Sequence, residues 1–239
     1  MQHIAACILL VALALSGATP AWAEDEPHLP GETHWYEPPN PLGLEIFTRE
    51  QLAWMAEDGV GLRYTGPLHA SLAGELRALL LTSPQRYHHV VFELDSDGGN
   101  LDHVKEIVAV LKEVRARMQL TTRVTEGSLC ASGCIPLFMQ GEARKASGSS
   151  IWVFHGARGA FTNMPDPAAT DEYLALLTAA GMRPGFRAML ESGNRIYLPG
   201  SFILSGYELF AVHEAGIITE LLPAWRAERP VLPSGIGPR

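Results

Sequence analysis

The sequence predicts an α/β fold with a largely parallel core sheet, on three observations. Short β-branched or aromatic runs alternate with segments whose apolar residues recur at helical spacing. No internal repeat of solenoid length interrupts that alternation. With 239 residues, 47% hydrophobic and 18% charged, the chain has the composition of a globular protein large enough to bury a sizeable core.

Taken in order, residues 61–64 read as a short strand and residues 69–81 as an apolar-periodic helix. The run His89-Val90-Val91-Phe92-Glu93-Leu94 reads as a buried strand. Asp95-Ser96-Asp97-Gly98-Gly99-Asn100 is a tight turn, and Leu101, Val104, Ile107, Val108, Leu111 and Val114 then mark one face of a helix. Residues 119–125 are expected to form a strand and residues 132–139 a short apolar helix ending near Gly141. The Gly-Glu-Ala-Arg-Lys stretch at 141–145 reads as a solvent-facing turn, and Ile151-Trp152-Val153-Phe154 as a compact strand. Residues 170–190 are helical with a break at Gly181 to Gly185, and residues 196–219 return to strand, turn and helix. Alternation of this kind favours parallel pairing.

The two ends differ from this body. Residues 4–15 form an apolar run far short of the roughly 20 residues that span a bilayer. Ala21-Trp22-Ala23 then supplies a small-x-small cleavage pattern before Glu24-Asp25, so residues 1–23 are expected to be a signal peptide cut after Ala23. The expected destination is the periplasm or the exterior. Residues 24–43 carry five prolines and read as an arm, in which Trp35-Tyr36 would dock on a neighbour or cover the domain's own core. Residues 44–225 form the domain, and residues 226–239 are a second proline-rich tail.

Eighteen Lys plus Arg against 26 Asp plus Glu leave a net charge of −8, all of it outside the first 23 residues, which argues against nucleic acid as a partner. Cys7 lies in the leader, so Cys130 and Cys134 remain, four apart, in an oxidising compartment. A disulfide between them and two separate small buried hydrophobes are both open, since four-residue spacing on a regular helix fits bridge geometry poorly. No metal and no cofactor is expected: two cysteines without further ligands do not complete a zinc site, and His88-His89 lack a third ligand. His69 and His103 read as helix-surface residues.

Three segments carry chemistry together: Asp95-Ser96-Asp97-Gly98-Gly99, then Cys130-Ala131-Ser132-Gly133-Cys134, then Phe154-His155-Gly156. Each alone has an ordinary structural explanation as a turn, a helix cap or a core histidine. Their joint order puts a glycine turn, a serine at a helix start and a histidine at a strand end into one chain.

In that order the segments resemble the Clp protease proteolytic subunit and the wider Clp/crotonase superfamily, over about residues 61–219. Ser96-Asp97-Gly98-Gly99, Ala131-Ser132-Gly133 and His155 stand where that family has its glycine turn, nucleophile and base. Leu204-Ser205, Glu208-Leu209 and Ala215-Gly216-Ile217-Ile218-Thr219 are similar to its closing segment. The resemblance implies a repeated β-β-α spiral fold, with Ser132 as nucleophile, His155 as base, and the amides of Gly99 and Gly133 as the oxyanion hole. It implies a peptide or protein substrate, and a homo-oligomer without the ATP-driven unfoldase that serves cytosolic relatives. A Cys130–Cys134 bridge would stiffen the loop that holds the nucleophile.

The departures are equally specific. Ser201 stands where the family has its orienting Asp, leaving Ser201 itself, Asp171, Glu191 or Glu208 as third member; without a carboxylate the imidazolium is less stabilised. Asp97 replaces a proline beside the oxyanion hole. Besides the hydrolase reading there stands a second, in which the chain is a catalytically inactive Clp-like binding or scaffold protein. A crotonase-type acyl-thioester enzyme is disfavoured by export away from the coenzyme A pool, and a Ser-Lys dyad through Lys145 is a minor variant.

Overall fold

The computed structural model describes residues 43–47, 59–83, 87–159 and 164–223. Contacts divide the chain into Met1–Glu37 and Pro38–Arg239, and every described residue belongs to the second unit. The expected signal peptide, the expected arm before Gly43 with Trp35-Tyr36, and the 226–239 tail lie outside the described residues.

The described chain is mixed α/β around a largely parallel six-stranded sheet in the order β1-β2-β3-β4-β6-β9. Its strands are β1 (Gly43–Ile46), β2 (Gly59–Thr65), β3 (His89–Asp95), β4 (Gln119–Val124), β6 (Ala143–Ala146) and β9 (Glu220–Leu221), and only β1 runs antiparallel to its neighbour. A second, three-stranded sheet joins β5 (Leu129–Ala131), β7 (Ile151–Phe154) and β8 (Phe202–Ser205).

Strand β3 sits between β2 and β4, and Val90 to Asp95 are all buried, so both faces of the run are covered as parallel strands require. Glu93 is tolerated there because Arg63 lies 2.8 Å away and Arg123 a further 3.9 Å contact. Helix α1 (Ser71–Leu76) runs on as a π-helical turn (Arg77–Thr82), and α2 (Leu101–Arg115) buries Val104, Ile107, Val108, Leu111 and Val114 along one face. Asn100 starts α2 by accepting the Asp102 amide at 2.8 Å, a cap worth about 1 kcal/mol. Helices α4 (Pro167–Ala179) and α5 (Pro184–Glu191) flank the break expected at 181–185.

Three expectations are corrected. Residues 143–146 are strand β6, between β4 and β9, where a turn was expected, and Lys145 pairs with Glu220 at 2.9 Å. The helix expected over 132–139 is the five-residue α3 (Cys134–Phe138), preceded by the unforeseen strand β5. His103 is half-buried, with Nδ1 unpartnered among the described residues, where a surface residue was expected.

Candidate active site

The site begins where β3 ends. Beyond Asp95 the chain bridges to the second sheet: Ser96 donates its amide to Leu129 O at 2.7 Å and accepts the Ala131 amide at 2.9 Å. The Asp95 carboxylate takes the Leu129 amide at 2.9 Å, and on the other side Leu68 donates to Gly98 O at 2.8 Å. These bonds lock the diglycine turn against β5.

Gly98 has φ +93°, and a Cβ there would stand 2.7 Å from Ala131 O and 2.9 Å from the Ser132 Cβ. Only glycine meets both demands, positive φ and close approach. A Cβ on Gly133 would strike Val104 at 2.5 Å and lie 3.3 Å from the Gly99 nitrogen, so Gly99 and Gly133 are direct neighbours. Neither the Gly99 nor the Gly133 amide donates a hydrogen bond among the described residues. A pair of adjacent unspent donors is what a developing oxyanion needs.

Ser132 lies between β5 and α3 with φ +50°, in the left-handed region that a non-glycine residue enters at a cost of about 1–2 kcal/mol. Gly133, rather than Ser132, is the residue that caps α3. A helix of five residues adds little dipole at Ser132. Two backbone bonds hold Ser132: its amide donates to Val153 O at 2.9 Å and its carbonyl accepts the Ile135 amide at 3.0 Å. Cys130 and Cys134 are joined by a disulfide with a Cα–Cα separation of 5.3 Å. The bridge forms because Cys130 lies on strand β5 and Cys134 opens helix α3, with the Ser132 turn folding one onto the other, so the regular-helix objection does not apply. Both cysteines are wholly buried.

His155 follows the last residue of β7. Its Nδ1 lies 2.9 Å from Gly156 O. A carbonyl only accepts, so the tautomer that makes this bond donates from Nδ1 and leaves Nε2 as the acceptor nitrogen. Ser132, Gly133, Gly99 and His155 line one cavity of about 560 Å³. Lys105 also lines it and pairs with Asp102 at 2.8 Å and Glu172 at 3.0 Å, tying α2 to α4. These contacts raise the Lys105 pKa and lower that of Asp102.

The chain matches no family model and no curated protein sequence.

The acids considered for the third role are occupied elsewhere. Asp171 accepts the Tyr197 hydroxyl at 2.7 Å, which pushes that phenol up to about 12. Glu191 pairs with Arg187 at 2.9 Å. Glu208 accepts the Ser205 amide at 2.7 Å and hydroxyl at 2.8 Å, which hold its pKa low. Among the described residues lining the cavity there is no Asp171, Glu191, Ser201, Glu208, Lys145 or Asp97. Asp166 and Tyr173 are among the lining residues that the sequence reading does not single out. Asp166 caps α4 by accepting the Ala169 amide at 3.0 Å, a role its place before Pro167 could have signalled. Tyr173 is buried with its hydroxyl unpartnered among the described residues, and burial pushes its pKa strongly up. Its place in the helical run 170–190 gives no sign of this in the sequence.

Proposed function

We propose that the protein is an exported serine hydrolase of Clp/crotonase-like spiral fold that cleaves peptide bonds. The observation that carries this reading is the meeting of Ser132, His155 and the unspent amides of Gly99 and Gly133 around one cavity. In the proposed reaction Ser132 Oγ attacks the scissile carbonyl carbon while its proton passes to His155 Nε2. The carbonyl oxygen, now an oxyanion, takes the Gly99 and Gly133 amides. Collapse expels the leaving amine, which receives the proton from His155, and water then hydrolyses the acyl-serine by the same route. The Gly156 carbonyl does the orienting usually given to a carboxylate, holding Nδ1–H without a full negative charge to offset the imidazolium. Turnover is accordingly expected to be slow.

The buried Cys130–Cys134 bridge supports export to an oxidising compartment, as does the leader pattern of residues 1–23. Among the described residues no helix is long and apolar enough to cross a membrane. Assembly into a homo-oligomer belongs to the same proposal. The orienting group also motivates a second reading, a Clp-like binding protein whose site no longer turns over, because a carbonyl stands where an acid would act. Incubation with a defined peptide mixture, read by mass spectrometry, separates the two. Cleavage that disappears in Ser132→Ala supports the hydrolase; intact peptides retained by folded protein support the binding reading.

A further inference from the structure

At the opposite end of β3 from Ser96 lies a second cavity of about 550 Å³, lined by His88, His89, Arg115, Arg117, Met118 and Glu142 among others. It continues into a smaller cavity of about 380 Å³ that shares His88, Arg117 and Met118 and adds Leu80, Leu81 and Tyr87. Basic side chains thus meet an apolar ledge, in a chain whose net charge is −8. Six residues of β3 separate this groove from the turn at Ser96, about 20 Å of strand, so it is independent of the candidate active site.

Among the described residues His88, Arg115 and Arg117 take part in no ion pair. Arg115 makes one long bond, 3.4 Å to Gln140 O. Arg144, next along, has its guanidinium on the Ile217 and Gly216 carbonyls at 2.7 and 3.1 Å, without a carboxylate. Burial lowers its pKa, and the neighbouring Arg115 charge lowers it further. Of the acids nearby, Glu113 is held by both forks of Arg77 at 2.8 Å and also feels the Arg117 charge, and Glu142 lines the cavity as an exposed residue. Nor are the arginines needed to close α2, because the Lys112 and Val114 carbonyls already accept the amides of Ala116, Arg117 and Met118. Arginines kept close without carboxylates present forked donors suited to an anionic oxygen group.

We propose that this groove binds an amphiphilic anion, its phosphate or carboxylate head between Arg115, Arg117 and His88 and its apolar chain along Leu81, Tyr87 and Met118. Both halves contribute: the fork donors fix the head, and the ledge removes the chain from water.

The test is calorimetric titration of the purified protein with octyl phosphate, octanoate, octanol and inorganic phosphate, each below its aggregation threshold. Octyl phosphate or octanoate is expected to bind at least about tenfold more tightly than octanol or inorganic phosphate, and the tighter of the two identifies the head. Arg115→Gln/Arg117→Gln, two exposed positions whose change leaves the fold intact by circular dichroism, should weaken that binding about tenfold. Met118→Ala should weaken the alkyl ligands and leave inorganic phosphate unchanged. Equal binding of octanol would overturn the anionic head, and equal binding of inorganic phosphate would overturn the apolar arm. Absence of binding by either alkyl anion, or indifference to the arginine substitutions, would overturn the site.

Discussion

The diglycine turn at Asp95–Gly99 and the Cys130–Cys134 junction press against each other, yet they reach their backbone shapes by opposite means. In the turn, positive φ falls on Gly98, where it costs nothing, and space is the constraint. In the junction, positive φ falls on Ser132, where a Cβ makes it unfavourable, and the surroundings must hold it: a disulfide, two backbone bonds and the glycine wall opposite. Strain is therefore concentrated on the one residue whose hydroxyl the proposed chemistry needs, while its neighbours are relaxed. The turn supplies shape, and the junction stores the tension.

The comparison can be broken most forcefully at the turn. Gly98→Ala puts a Cβ into Ala131 O and forces positive φ on alanine, so urea unfolding should show a loss of about 3 kcal/mol. A loss under about 1 kcal/mol would mean that the turn moves freely and is no wall. Next in size is the bridge: Cys130→Ala/Cys134→Ala should cost about 2 kcal/mol, the chain-entropy value for so short a loop. It should also slow any Ser132 chemistry, since the left-handed turn loses its clamp. Ser132→Gly has the opposite sign: it relieves φ +50° and should raise stability by about 1 kcal/mol while abolishing reactivity. No gain in midpoint would show that Ser132 is unstrained.

The smallest effect lies outside both regions and serves as their control. Glu208, held below its ordinary value of 4.5 by the Ser205 amide and hydroxyl, has a depressed folded-state pKa. Its contribution is present above the unfolded value and is lost as pH falls below 4.5. Glu208→Gln should lower the neutral-pH midpoint slightly, flatten that part of an acid-unfolding profile and leave Ser132 reactivity nearly unchanged.

What the sequence made legible follows the same division. Strand β3, the turn and α2 were readable because β-branched runs, a glycine pair and 3.6-residue periodicity are local signals. Ser132, Gly99, Gly133 and His155 were readable as residues, and they do share one cavity. The junction's shape was not. Leu129–Ala131 is strand only because Ser96 and β7 pair with it, and Ala143–Ala146 has no strand-forming side chain and owes its state to β4 and β9. The disulfide was undecidable while both cysteines were imagined on one helix. A strand-to-helix corner brought them together. The Gly156 carbonyl as orienting group could not be read, because every residue has a carbonyl and only folding aims one.

In the proposed reading Ser132 is an activated nucleophile that shares its cavity with His155 and the amides of Gly99 and Gly133. Time-resolved labelling of the oxidised protein with a fluorophosphonate, with mass spectrometry to locate the adduct, tests it most directly. One adduct is expected, on Ser132, absent in Ser132→Ala and formed about 100-fold or more slowly in His155→Ala. A folded protein that forms no adduct, or one labelled equally fast without His155, would contradict it.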